Sequence, residues 1–296
     1  MTRARGDLGL DGFVNLWKPS GPTSHDLVAR VRRVLGTRRV GHAGTLDPLA
    51  EGVLPMALGR ATRLIDRLSS ADKEYEAWAA LGLRTTTDDA EGELLTQTDV
   101  PDFSTQELQA ALDTFVGRIE QAPPAYSAIK VAGRRSYDLA RSGAPVALAG
   151  RAVTIESIEL RSWERPVLRF RVCCSKGTYI RSLARDLGER LGVGASLRRL
   201  IRLRVGPFDL AQAVDLEELA ERRSALVLPP DTLLRDCPSL VVDDAEVDHL
   251  RHGRAWAAPG DVAPDLDVRA YTREGQFAAI LRRQDGRWRP ILTFLD

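Results

Sequence analysis

Residues 41–52 read Gly41-His42-Ala43-Gly44-Thr45-Leu46-Asp47-Pro48-Leu49-Ala50-Glu51-Gly52, which places three glycines, one proline, one histidine and Asp47 within a single short stretch. Glycine lets the backbone approach a ligand closely or adopt dihedral angles that other residues avoid. Pro48 steers the preceding residue away from the helical region, so the pattern predicts a shaped turn that presents Asp47. A second interpretation makes Asp47 the N-cap of a helix that begins at Pro48. The density of special residues favours the first and marks this stretch as the candidate functional centre.

The composition of the chain is that of a soluble globular protein with one or two domains. The 296 residues contain no apolar run of membrane-spanning length, and the N-terminal ten residues lack the apolar core of a signal peptide. Three cysteines, two of them adjacent at positions 173 and 174, match neither a disulfide framework nor a zinc-binding spacing. These features predict a cytoplasmic protein without a metal or a membrane span.

Positive charge is concentrated in two blocks, although the net charge of the chain is only +1. Residues 1–70 hold 11 Lys/Arg against 6 Asp/Glu, and residues 125–205 hold 17 against 6. In the second block Tyr126 and Tyr137 flank Arg134. Aromatic rings stack on bases while guanidinium groups bind phosphates, so the pattern indicates RNA binding. A solvated arginine-rich surface, with the tyrosines packed in a core, remains the alternative.

Apolar periodicity predicts alternating strands and helices in the first 205 residues. Helices are expected after Ser24 as N-cap, after the capping box of Ser104 and Glu107, and from Ile180 onward. A linker with a short acidic helix follows, and from Cys237 on, hairpin turn signals predict a small β-rich unit. The predicted strands cover residues 13–17, 74–83, 153–160, 167–174 and 197–204.

Five stretches, taken in order, resemble the bacterial tRNA pseudouridine-55 synthases of the TruB type. They are GFVNLWKPSGPTS (12–24), GHAGTLDPLAEG (41–52), KEY (73–75) with the loop at 85–92, PPAYSAIK (123–130) with Gly133 and Tyr137, and SKGTYIRSL (175–183). The resemblance runs from about residue 12 to 210, and the last 60 residues resemble a PUA-type RNA-binding barrel more weakly. One departure is Thr86, which stands where that family commonly has an aspartate.

The resemblance implies an α+β fold with a mixed, mostly antiparallel sheet and flanking helices. It implies a catalytic domain over residues 1–236, with an RNA-gripping insertion at about 121–150, and a PUA-like domain over 237–296. The implied reaction converts uridine 55 in the T-loop of tRNA to pseudouridine. The implied protein is a cytoplasmic monomer that binds the T-arm of tRNA and needs neither a cofactor nor a metal.

The resemblance also assigns roles to individual residues. It implies that Arg181 pairs with the catalytic carboxylate of Asp47 and keeps it ionised. It implies that Tyr75 stacks on the target base, with its hydroxyl near the proton transfer, and that His42 occupies or braces the space left when the base flips out. The implied catalytic residues are Asp47, Tyr75 and Arg181, and the implied substrate-binding residues are Lys18, His42, Asp89, Tyr179 and Leu200.

Three other functions stay open at this point. A guide-RNA-dependent relative that acts on ribosomal RNA would not need the grip of residues 123–137. A non-catalytic tRNA-binding or tRNA-folding protein would not need Asp47, Tyr75 and Arg181 together. A glycosidase or nucleosidase that uses Asp47 would need a second carboxylate beside it.

Overall fold

We describe the protein from a computed structural model, which describes residues 9–126, 130–131, 134–135, 149–258 and 265–295. Only the two ends and a short hairpin of the predicted insertion fall within this part. Gly133, which belongs to the fourth resembling stretch, and Tyr137, which is predicted to stack on RNA bases, lie outside the described residues.

The described strands account for most of the regular structure. In chain order they are β1 (Gly12–Lys18), β2 (Val40–His42), β3 (Glu51–Leu58), β4 (Lys73–Leu81), β5 (Leu83–Thr85), β6 (Leu94–Gln97), β7 (Gly117–Gln121), β8 (Lys130–Val131), β9 (Arg134–Arg135), β10 (Arg151–Glu164), β11 (Val167–Cys174), β12 (Ala195–Val205), β13 (Phe208–Asp209), β14 (Ser239–Val241), β15 (Trp256–Ala257), β16 (Asp267–Tyr271), β17 (Phe277–Gln284) and β18 (Arg287–Thr293).

The helices lie between these strands. The described α-helices are α1 (Ser24–Leu35), α2 (Ile65–Ser70), α3 (Thr105–Asp113), α4 (Ile180–Arg190), α5 (Leu216–Arg222) and α6 (Asp244–Arg251). Short 3-10 helices span Gly59–Leu64, Leu210–Gln212, Arg223–Leu226 and Pro230–Leu234. No helix of the described part is long and apolar enough to cross a membrane.

A nine-stranded sheet forms the larger layer, in the order β1-β3-β12-β4-β11-β10-β7, with β2 beside β3 and β13 beside β12. Within it β3 and β12 run parallel, and the other paired strands run antiparallel. Apolar side chains of α1, α3 and α4 share one core with this sheet. The predicted fold class, a mixed and mostly antiparallel sheet flanked by helices, is therefore confirmed.

β11 shows why the strand prediction succeeded. Its even-numbered residues from Leu168 to Cys174 are buried, while Arg169 and Arg171 point to the other face. There Arg169 pairs with Glu76 at 2.7 Å and Arg171 with Glu74 at 2.6 Å, both across the strand pair with β4. A period of two therefore separates an apolar core face from a charged face of the same strand.

The helix ends largely follow the sequence signals. Ser104 and Glu107 form the predicted capping box of α3, and Gly36 ends α1 in the left-handed conformation. The N-cap of α1 is Thr23, which forms a capping box with Asp26, so the prediction of Ser24 was wrong by one residue. Ser24 is instead buried, and its hydroxyl donates to Leu46 O at 3.1 Å and accepts from Leu46 N at 3.0 Å.

A separate five-stranded sheet, in the order β14-β16-β17-β18-β15, confirms the predicted β-rich C-terminal unit. It packs on the segment 59–70. Arg60 donates to Leu295 O at 2.7 Å, and Arg67 forms an ion pair with Asp267. Phe277 and Ile280 join an apolar cluster with β1 and β3. The boundary at residues 236 and 237, and the likeness of this unit to a PUA domain, stay predictions.

Candidate active site

The candidate site begins at the turn that carries Asp47, between the end of β2 at His42 and the start of β3 at Glu51. Ala50 N donates to Asp47 O at 3.0 Å. Pro48 belongs to this turn and not to a helix, which excludes the interpretation of Asp47 as a helix cap. The Asp47 side chain is 42% exposed, so its carboxylate can be reached from outside.

Lys18, at the end of β1, lies beneath this turn and is fully buried. Its Nζ donates to the carbonyls of Pro19 at 3.0 Å, Pro48 at 3.0 Å and Ala50 at 2.7 Å. An ammonium group has three donors, and all of them serve the chain itself. Lys18 therefore ties the turn to β1, and its predicted contact with substrate stays a prediction.

Replacement of Lys18 by methionine is expected to destabilise the protein more strongly as the pH rises above about 8. Burial lowers the pKa of Lys18 to about 8, and nearby Asp47 only partly opposes this. An unfolded lysine keeps its proton to a pKa of about 10.4. Between these values the unfolded wild type binds more protons than the folded one, so its free energy of unfolding rises with pH. The methionine variant lacks this contribution.

Denaturant unfolding of both proteins at pH 7 and pH 10 measures this effect. At pH 7 the loss of three buried hydrogen bonds is expected to cost about 2–4 kcal/mol. Lys73, whose pKa burial also lowers to about 8, is present in both proteins and cancels from the comparison. A gap between the two proteins that shrinks on going to pH 10 would contradict the assignment.

Arg181, in the first turn of α4, joins three parts of the chain and is 5% exposed. Its Nη2 lies 2.9 Å from Asp47 Oδ2, and its Nη1 lies 3.4 Å from Asp89 Oδ2. The same two nitrogens donate to Tyr126 O and Thr87 O, each at 3.0 Å. The structure thus brings together Asp47, Arg181 and Asp89, and it connects them to the start of the predicted insertion.

Asp89 orients Arg181 from the loop between β5 and β6. It is 2% exposed, and its Oδ1 accepts hydrogen bonds from the Thr87 hydroxyl and, at 3.0 Å, from Glu91 N. The loop is held to β12 because Ala90 N donates to Leu197 O at 2.9 Å. Thr86, the residue that departs from the family pattern, accepts from Glu93 N at 3.0 Å and closes the same loop. Asp89 is therefore placed to fix Arg181, while its predicted contact with substrate stays a prediction.

Tyr75 is 6% exposed and faces the apolar core from β4. Burial raises the pKa of its phenol, and the nearby guanidinium of Arg202 opposes this. Leu200 is 7% exposed and pairs with Ala77, two residues along β4 on the same face as Tyr75. The two side chains therefore form part of one wall beside the Asp47 turn.

His42 and Tyr179 approach the site from the ends of β2 and α4. Burial lowers the pKa of His42, and Arg202 and His25 lower it further, so its imidazole is neutral near pH 7. Tyr179 is the N-cap of α4, and its backbone N and O both bond to the Gln121 amide, at 2.8 and 3.1 Å. The predicted contacts of both residues with RNA stay predictions.

Sequence reasoning missed two buried polar residues at this site. Gln121 is 2% exposed and pins the residue that begins α4, and Arg202 is fully buried under Gly44. Arg202 stands two positions after Leu200, in phase with a buried residue of β12, which was the available signal. Among the described residues no group of three or more His, Cys, Asp or Glu could hold a metal ion.

Comparison with known families shows to which family the chain belongs. Residues 32–180 match the model described as "TruB family pseudouridylate synthase (N terminal domain)". The chain belongs to the TruB family. Residues 181–235 match the "tRNA pseudouridylate synthase B C-terminal domain". In this TruB family member Asp47, Tyr75 and Asp89 therefore lie in the N-terminal match, whereas Arg181 and Leu200 lie in the second.

Relatives support this membership over nearly the whole chain. A tRNA pseudouridine synthase B of Synechococcus elongatus is 46% identical over 275 residues, covering 91% of this chain and 93% of the relative. One from Dehalococcoides mccartyi is 43% identical over 293 residues, covering 97% of each.

Solved structures also resemble this TruB family member. An H/ACA RNP bound to a substrate RNA containing 2'-deoxyuridine has a chain that is 27% identical, with a TM-score of 0.73, covering 96% of this chain and 85% of that one. A Cbf5-Nop10-Gar1 complex has a chain that is 28% identical, with a TM-score of 0.71, covering 97% and 84%.

Proposed function

We propose that the protein converts a uridine of tRNA, the T-loop uridine 55, to pseudouridine without a cofactor. The observation that carries this proposal is the accessible carboxylate of Asp47, paired at 2.9 Å with the buried guanidinium of Arg181. The relatives named tRNA pseudouridine synthase B, at 43–46% identity, support tRNA as the substrate.

The central requirement of this reaction is a carboxylate held in a fixed position, rather than a bound cofactor. The N1–C1′ bond of uridine breaks, the base turns, C5 joins C1′, C5 loses its proton and N1 gains one, so the atoms balance. A carboxylate can attack or stabilise the electron-poor carbon that this sequence creates. Lys18 donates to the carbonyl of Pro48, and Arg181 pairs with the carboxylate of Asp47. These contacts fix the position of Asp47 before substrate binds.

The target uridine must leave its stack to reach Asp47. We propose that it lies against Tyr75 and Leu200, with the Tyr75 hydroxyl near the proton leaving C5. His42, at the end of β2 where the Asp47 turn begins, fills the place that the target base leaves in the stack. Tyr179 and Asp89 complete the pocket from α4 and from the loop after β5.

We propose that the protein acts alone, as a cytoplasmic monomer that binds the T-arm. The structural relatives in the H/ACA RNP and the Cbf5-Nop10-Gar1 complex are only 27–28% identical, well below the tRNA pseudouridine synthase B relatives. The segment 121–126, where the insertion begins, is bonded to α4 through Gln121 and through Ala122 O, which accepts from Ser182 at 2.8 Å. This anchorage favours a built-in RNA grip. Family membership likewise favours the isomerase over a glycosidase.

Tritium release from tRNA transcripts labelled at uridine C5 tests the proposed function. The assay contains no guide RNA and no added metal, and a second transcript carries cytidine at position 55. Release is expected from the first transcript and not from the second. Binding of tRNA without any release would overturn the proposal and favour the guide-dependent or non-catalytic function.

Binding of tRNA is expected to weaken steeply with salt, because phosphate contacts release counterions. A plot of the logarithm of the association constant against the logarithm of the salt concentration should have a slope steeper than about −3. Arg169 and Arg171 should contribute little to tRNA binding or to this slope, because they already pair with Glu76 and Glu74. Filter binding between 50 and 400 mM KCl measures the slope for the wild type and for Arg169→Gln/Arg171→Gln. A flat response of the wild type would contradict RNA binding through the basic block.

A further inference from the structure

Arg202 is a fully buried arginine in the centre of β12. Its Nε donates to Val53 O at 2.7 Å and its Nη2 donates to Gly44 O at 3.0 Å. Val53 belongs to β3, and Gly44 lies three residues before Asp47. One guanidinium therefore links the first half of the Asp47 stretch to the strand that follows it.

This cation has no acidic partner in the described part of the chain, and it donates to two backbone carbonyls. A buried charge without a counter-ion is costly, and burial lowers the pKa of Arg202 accordingly. The arginines around it behave differently. Arg199 pairs with Glu51 and Arg204 with Glu74 on the charged face of the sheet. The burial of Arg202 therefore calls for a reason other than folding alone.

Tyr75 supplies that reason. Arg202 and Tyr75 are directly opposite each other in the antiparallel pair β12–β4, so their side chains share one face. The nearby guanidinium lowers the pKa of the Tyr75 phenol, against the effect of burial. Cys174 of β11 and Asp47 of the turn also face the phenol, and both act against loss of its proton. Among these three groups, Arg202 alone favours loss of the Tyr75 proton.

We propose that Arg202 is a positioning residue for the isomerisation, which holds the Tyr75 hydroxyl and the Gly44 side of the Asp47 turn in one fixed arrangement. In this arrangement the guanidinium donates to the phenol oxygen. The hydrogen of the hydroxyl and the other lone pair of its oxygen then point away from the strand. Its charge also stabilises negative charge on that oxygen during proton transfer. This inference rests on the proposed function.

The test compares Arg202→Met and Arg202→Lys with the wild type. Arg199→Met is the matched control, because it lies on the same strand but on the other face, 5.0 Å from the ring of Trp78. For Arg202→Met we expect kcat to fall about 10- to 100-fold with KM nearly unchanged, since the loss concerns a preorganised donor. Arg202→Lys keeps the charge and should recover part of the loss. Arg199→Met should match the wild type.

Two further readouts separate positioning from a structural role. With C5-deuterated uridine in the tRNA, slower proton transfer in Arg202→Met should raise the isotope effect on kcat. In protein labelled with carbon-13 at tyrosine Cζ, the Tyr75 resonance, assigned from Tyr75→Phe, should move in Arg202→Met and stay in place in Arg199→Met. The resonance needs no turnover, so it reports on Arg202 even if the proposed reaction fails.

Thermal melting shows whether each variant is folded, and Arg202→Lys carries the comparison if Arg202→Met does not fold. A folded variant whose Tyr75 resonance and isotope effect both match the wild type would overturn the proposal. So would an equal loss of activity in Arg199→Met.

Discussion

Replacement of Asp47 by asparagine is expected to abolish pseudouridine formation, lowering kcat by about 10⁴-fold or more, while tRNA affinity stays within about threefold. The amide has almost the same shape as the carboxylate, and the side chain is 42% exposed, so neither a cavity nor a clash follows. What is lost is the negative charge that, in the proposed reaction, faces the reacting carbon. The turn itself keeps its anchors, because Lys18 bonds to Pro48 and Ala50 through their backbone carbonyls.

Tritium release and filter binding, performed on the same preparations, measure the two quantities. Asp102→Asn is the matched control, since it makes the same chemical change at an exposed position. Binding that falls in step with activity in Asp47→Asn, or equal losses in both variants, would contradict a catalytic role for Asp47.

Replacement of Arg181 by methionine is expected to damage both catalysis and stability. Asp89 would remain 2% exposed without its cation, and the hydrogen bonds that Arg181 donates to the carbonyls of Thr87 and Tyr126 would be lost. Removing one member of a buried ion pair typically costs about 3–5 kcal/mol. Asp47 would also lose the partner that orients it, so we expect kcat to fall about 10²- to 10³-fold.

Arg185→Met provides a matched control one turn further along α4. Arg185 pairs with Asp88 at 2.9 Å and with neighbouring Asp186 at 2.8 Å, and it donates to Ala122 O at 3.0 Å. We expect it to lower the free energy of unfolding but to change kcat less than about tenfold. Denaturant unfolding and single-turnover tritium release separate the two effects. If both variants lose catalysis equally, the specific link between Arg181 and Asp47 is wrong.

The strands and helix ends were predictable because their signals are local. The alternation in β11 and the capping box of α3 each depend on residues within a few positions of one another. The buried side chains of β12 were harder to predict, because the register of this strand shifts between Leu197 and Arg199 and again between Arg202 and Arg204. The bulge after Arg202 moves the following side chains to the other face, so simple alternation, which groups Arg202 with Arg204, could not show that Arg202 is buried while Arg204 meets Glu74.

The sequence by itself determined the turn at Asp47 and, through its resemblance to the TruB family, the mixed sheet and the choice of Asp47, Tyr75 and Arg181 as candidate catalytic residues. Only the tertiary structure decided their partners. Arg181 meets Asp89 and Tyr126, and Lys18 meets the carbonyl of Ala50, over separations of 92, 55 and 32 residues. A strand or turn preference acts between neighbours along the chain, whereas a buried cation finds its acceptors only where folding has removed water and brought distant backbone together.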